Sequence, residues 1–66
     1  MLQIEFDVEA DGRWLAEIPA LPGVITYGAE RAEAQAKVEA LALRVLADRL
    51  EHGESVPELG ELFVAA

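Results

Sequence analysis

The stretch LQIEFDVEADGRWLAEI, residues 2 to 18, decides the fold. Its first eight residues alternate without a break. Leu2, Ile4, Phe6 and Val8 point one way; Gln3, Glu5, Asp7 and Glu9 point the other. A period of two with one apolar and one polar face is the pattern of a half-buried strand. Ala10, Asp11 and Gly12 interrupt it, and RWLAEI resumes it. A two-residue Asp11-Gly12 turn would set Phe6 opposite Glu17 and Glu5 opposite Ile18, mixing the faces. A three-residue loop over residues 10–12 pairs Val8 with Trp14, Phe6 with Ala16 and Ile4 with Ile18. A slip of one residue inverts every side chain, so the face pattern selects the longer loop. Gly12 then fills its left-handed position. The same register sets Glu9 opposite Arg13, an attraction, and Glu5 opposite Glu17, a repulsion.

Working outward, EIPALPGVIT places prolines at 19 and 22. Pro19 ends strand two, because it has no N–H for a ladder. Pro22-Gly23 suits the central positions of a type II turn: proline presets φ and glycine accepts a positive one. VITYG, residues 24–28, is β-branched and aromatic and reads as strand three. Residues 30–51 contain no Gly or Pro and are rich in Ala, Glu, Arg and Leu, which predicts a helix. Ala34, Val38, Leu41 and Val45 make one apolar stripe on it, flanked by Ala42 and Leu46. A thinner stripe of Ala36, Leu43, Ala47 and Leu50 lies nearly opposite. A single sheet covers only one of the two, so Leu43, Ala47 and Leu50 are candidates for self-association. Ala29 sits where a capping Ser, Thr or Asp is preferred, and Gly53 is a good helix stop. ESVPELG reads as a turn and ELFVA, residues 61–65, as a short last strand.

The order is therefore β-β-β-α-β, an α+β fold. An antiparallel three-stranded meander carries one helix on one face. A right-handed crossover would lay the fourth strand parallel to the first, in the order 3-2-1-4. The other sheet face is open, and Glu5, Asp7, Glu9 and Glu17 make it rich in carboxylates.

Sixty-six residues make a single domain, 1–66. A chain of this size buries only about 60% of its unfolded surface, so a staple is expected. There is no cysteine and one histidine, which leaves self-association as the staple rather than a disulfide or a metal. The net charge of −8 opposes direct nucleic-acid binding, which rests on cations meeting phosphates. It favours a basic protein partner. No apolar run approaches the ~18 residues of a membrane span, and the alternating N-terminus is unlike a signal peptide. A cytoplasmic location is expected. No P-loop or G-x-G-x-x-G occurs, and Ser55 has no His and acid at a triad spacing. His52 lies at the predicted helix C-terminus, where a protonated imidazole suits the helix dipole. Trp14 is expected in the core beside Val8, and Tyr27 with its hydroxyl in water.

Asp11-Gly12, the aromatic Trp14, Pro19, the Leu21-Pro22-Gly23 triplet and Gly28 before the helix occur here in order. Ala34, Leu41, Leu46 and Leu50 follow along the helix, then Gly53-Glu54 and Pro57. Over almost the whole chain, this ordered set resembles the HicB-like antitoxins of bacterial type II toxin–antitoxin systems. The resemblance implies a partial ribonuclease-H-like fold. It implies no enzyme and no cofactor, but a module that binds a small basic RNA-cleaving toxin and masks its active site. Many members carry a C-terminal DNA-binding segment. This sequence shows none, so operon regulation by this chain is not expected. An orphan oligomeric domain without a toxin is the alternative. A metal-dependent nuclease using Asp7, Glu33 and Glu61 is a further one, since complete ribonuclease-H folds hold divalent metal on carboxylates.

Overall fold

Glu5–Val8 form β1 and Trp14–Glu17 form β2. The structure, a computed structural model, describes residues 2–61 and 63–66, and the side chains of all of these but Glu58 and Glu61. The two strands pair antiparallel as the face pattern demands: Glu5 opposite Glu17, Phe6 opposite Ala16, Asp7 opposite Leu15, Val8 opposite Trp14. The longer loop joins them. Glu9 N–H donates to the Arg13 carbonyl at 2.7 Å, Gly12 N–H donates to the Glu9 carbonyl at 2.9 Å, and Gly12 takes a φ of 90°. The ladder starts at Glu5 rather than Leu2, because β2 turns away at Pro19 and offers nothing further to pair with. Leu2 and Ile4 still pack against the core.

The expected Glu9–Arg13 attraction does not order Arg13. Its Nε donates to Asp11 Oδ2 at 2.7 Å and its backbone N–H to Asp11 Oδ1 at 3.1 Å. A carboxylate two residues away inside the loop reaches the guanidinium more readily than one across the ladder.

Both prolines of the next segment stand at the second position of a turn. Leu21 N–H donates to the Ile18 carbonyl at 2.9 Å, which closes a turn around Pro19 and Ala20. Val24 N–H donates to the Leu21 carbonyl at 3.0 Å, which closes the second around Pro22 and Gly23; Gly23 has a φ of 85°, as type II requires. Ile18 N–H then donates to the Val24 carbonyl at 3.1 Å and clamps the base of the loop. Leu21, at the junction of the two turns, is fully buried. β3, Ile25–Gly28, pairs antiparallel with β2, Ala16 opposite Thr26 and Leu15 opposite Tyr27. The sheet order is β1-β2-β3.

Helix α1, Arg31–Glu51, lies over β2 and β3. Its N-cap is Glu30, one residue later than expected, and no side chain caps it. Glu33 compensates from inside the first turn, where its Oε1 accepts the Ala29 N–H at 2.9 Å. The junction with β3 is tight. A β-carbon on Gly28 would fall 2.6 Å from the backbone nitrogen of Ala34, so this close approach excludes any side chain. Nearby, the Thr26 hydroxyl donates to the Ala34 carbonyl at 3.0 Å and ties strand to helix. At the far end Glu54 N–H donates to the Arg49 carbonyl and Gly53 N–H to the Leu50 carbonyl, with Gly53 at a φ of 77°. This is a Schellman stop.

The buried helix positions are Ala34, Val38, Ala42 and Leu46, with Leu41 and Val45 partly buried. The inward stripe thus follows the straight i, i+4 row. With Ala16, Ile18, Leu21, Val24 and Val56 these residues form the core, and no polar side chain is buried in it among the described residues. Trp14 lies opposite Val8 and packs at the core margin against Phe6, edge to face with ring centroids 6.5 Å apart. Val8 is about half exposed.

The predicted fourth strand is not present among the described residues. A 3-10 helix, Pro57–Glu61, runs from the expected turn into the first residue expected in that strand, and residues 63–66 form no strand. Leu59 N–H donates to the Val56 carbonyl and Phe63 N–H to the Leu59 carbonyl. The second bond uses a donor, the Phe63 N–H, that a ladder would need. Val56 and Leu59, three apart, pack inward, whereas Phe63 and Val64 are 72% and 94% exposed. Consecutive apolar residues at 62–64 lack the alternation of a half-buried strand; Leu62 lies outside the described residues. Among those described, no helix is long and apolar enough to cross a membrane.

Candidate functional site

Among the described residues, the face of the sheet away from α1 is left uncovered by the helix. Pairing sets its residues in two rows. Asp7, Leu15 and Tyr27 form one; Glu5, Glu17 and Ile25 form the other. The carboxylates crowd on β1 and at the end of β2. Leu15 is half-buried between its neighbours, while Ile25 and Tyr27 are 40% and 41% exposed. The face is therefore an apolar patch on β2 and β3 bordered by acids. Glu9 stands beyond the ladder, beside the hairpin loop.

Each sequence-derived candidate has a place on this frame. Glu5 and Glu17 face each other across the ladder as the register required. Glu5 also borders an open cleft of about 310 Å³ with Gln3, Pro19 and Ala20. Asp7 is partly occupied, since its Oδ1 accepts the N–H of Val8 at 2.8 Å. Gly12, Pro19, Leu21, Pro22, Gly23 and Gly28 build turns and close contacts, and Trp14 packs at the core margin. Leu43, Ala47 and Leu50 are exposed along one flank of α1.

The apolar half of the open face was missed in the sequence. Its signal was there: once β3 is registered on β2, Ile25 and Tyr27 alternate away from the helix. Arg13 lies against this patch, its guanidinium carbon 4.8 Å from the Tyr27 ring centroid. That position is favourable for a cation over an aromatic face. On the covered face Arg31 stands likewise over Phe6, at 4.0 Å.

Two carboxyls titrate below their ordinary values. The backbone N–H of Arg13, then its guanidinium, holds the Asp11 carboxyl down. The Ala29 N–H, then the charge of Lys37, does the same for Glu33. Both groups stabilise loops, and neither lies on the open face. His52 sits at the C-cap, at the helix C-terminus as expected, with Nδ1 2.7 Å from the Asp48 carbonyl, so this nitrogen is the donor.

Of the nuclease carboxylates, the two described ones, Asp7 and Glu33, stand apart. Asp7 faces the open side, whereas Glu33 is engaged at the start of α1; the Glu61 side chain lies outside the described ones. Among the described residues no three His, Asp or Glu side chains gather as metal ligands. The open face combines carboxylates with exposed apolar side chains. No family model, no curated protein and no solved structure matches the chain.

Proposed function

We propose that this chain is a HicB-like antitoxin-type module that binds a small basic RNA-cleaving toxin and masks its active site. One observation carries the reading most: carboxylates at Glu5, Asp7 and Glu17 border the half-buried Leu15 and the exposed Ile25 and Tyr27 on an uncovered sheet face. An apolar centre with a polar border is the usual anatomy of a protein interface. The acids match the basic groove with which a ribonuclease holds phosphates. The net charge of −8 steers a cationic partner and raises its association rate. The ordered motif residues from Asp11 to Pro57 support the family reading. The module acts by occlusion, without a catalytic group of its own and without direct contact to nucleic acid.

Co-expression with the product of the neighbouring small reading frame is the test. A small basic protein should co-purify with this chain and lose its growth inhibition. The reading fails if that frame encodes no basic protein, or if its product is neither bound nor neutralised. A stable chain that cleaves RNA with Mg²⁺ or Mn²⁺ would instead support the nuclease alternative.

A second reading, an orphan self-associating domain, is favoured by the exposure of Leu43 and Leu50, 60% and 51%. In it, Leu43, Ala47 and Leu50 meet a second copy. Light scattering at micromolar concentration separates the two: a monomer mass removes the self-association.

A further inference from the structure

β1 is an edge strand of the described sheet. The Glu9–Arg13 hydrogen bond fixes which of its residues turn toward β2. Bonded and non-bonded pairs alternate along an antiparallel ladder. Glu5 and Asp7 therefore bond to β2, while Ile4, Phe6 and Val8 aim their backbone groups away from the sheet. Asp7 Oδ1 accepts the Val8 N–H, which closes that end of the edge. Among the described residues, the stretch around Ile4 and Phe6 makes no backbone hydrogen bond on that side. Such a row of backbone groups is a template for another strand.

The two sides of this edge differ in chemistry. On the covered side α1 sits over β2 and β3, and the space above β1 is an open groove of about 340 Å³. Leu2, Ile4, Ile18, Ala42, Leu43 and Leu46 line it, with Glu39 at the rim. On the opposite side stand Gln3, Glu5 and Asp7. A strand added at the usual spacing of about 4.8 Å would drop alternate side chains into the groove and set the others over the carboxylates.

We infer that the β1 edge and its groove dock an extended segment of a partner protein in which apolar and cationic residues alternate. Charge complementarity selects this occupant over a second copy. Two β1 strands paired antiparallel would set Glu5 and Asp7 against the same acids of the other copy, and like charges directly opposite are destabilising. In the heterologous pairing, Lys or Arg meets Glu5 and Asp7 while the apolar residues fill the groove. Main-chain bonds supply affinity and the alternate positions supply specificity, as in other strand additions. The inference goes beyond the toxin reading, because any partner with such a segment qualifies.

Fluorescence anisotropy with labelled heptapeptides, Lys alternating with Val or Leu, tests it on the full chain. The alternating peptide should bind saturably, at least about tenfold tighter than a scrambled peptide of the same composition, a difference of ~1.4 kcal/mol. N-methylation of the edge-facing peptide amides should abolish binding. Leu43→Glu, at an exposed position, should weaken binding about tenfold or more with the circular dichroism unchanged. Glu5→Lys should shift preference toward a peptide alternating Glu with Val. Equal binding of the scrambled or N-methylated peptide, or no binding, overturns the inference. So does a dimer in light scattering that Leu43→Glu dissociates, since the groove then belongs to a second copy. A chain that binds the peptide but neutralises no toxin separates this inference from the proposed function, and the reverse result separates them too.

Discussion

The two faces of this one sheet are built from the same strands by different rules. The covered face follows binary pattern: Phe6, Ala16, Ile18 and Thr26 lie beneath Ala34, Val38, Ala42 and Leu46. The open face breaks the pattern by placing Leu15, Ile25 and Tyr27 beside Glu5, Asp7 and Glu17. Each face has a cation over an aromatic ring, Arg31 on Phe6 and Arg13 on Tyr27. On the covered face that pair carries the first residue of α1 over Phe6 of β1. On the open face it leaves the patch in solvent. The comparison teaches that the covered face serves stability, whereas the open face carries apolar surface that stability does not require.

Mutations sharpen this contrast. The largest loss is expected at Leu21→Ala, since the side chain is wholly buried; deleting it should cost about 2–5 kcal/mol, read by urea denaturation. Gly28→Ala comes next. The added carbon meets the Ala34 backbone nitrogen rather than a yielding side chain, and the cost should be about 1–3 kcal/mol. If Gly28→Ala melts like the parent, the tight β3–α1 junction described above is wrong. On the open face, Ile25→Thr should move stability by no more than about 0.5 kcal/mol, yet weaken capture of a basic partner. A large stability loss there would erase the distinction between the faces.

The smallest effect is electrostatic. Asp11 and Glu33 have carboxyls held below their ordinary values in the folded chain. Their contribution is present above the unfolded values and is lost as pH falls through the folded ones, so it fades only in the acid range. Carboxyl-detected NMR titration checks the assignment. In Arg13→Ala the Asp11 midpoint should rise only part of the way, because the backbone N–H, the larger cause, remains. A complete return would make the guanidinium the main cause.

Much of the fold was legible in the sequence because register is a discrete choice. Only the three-residue loop keeps Phe6, Ala16 and Trp14 on one face, and the ladder has that register. The double-proline loop was half legible. Pro22-Gly23 announced its turn, whereas the turn at Pro19 depends on Leu21 reaching the core, which is a tertiary fact. The fourth strand was misread because Leu62, Phe63 and Val64 were weighed by β propensity, while Val56 and Leu59 compete through burial at a spacing of three. The acids of the open face were visible from alternation alone. Its apolar half needed two successive registers, β1 on β2 and then β2 on β3.

The described ladders join only strands that are neighbours in the chain, and this bears on how the molecule assembles. No distant segment has to be found before the meander can close, so the entropy of loop closure is small at each step. Topologies with such local contacts fold toward the fast end of the range. The long helix then has a ready-made surface to settle on, and its docking is the event that excludes water. Stopped-flow refolding should accordingly show Leu21→Ala slowing the main phase. Substitutions at the exposed tail residues Phe63 and Val64 should leave that rate unchanged.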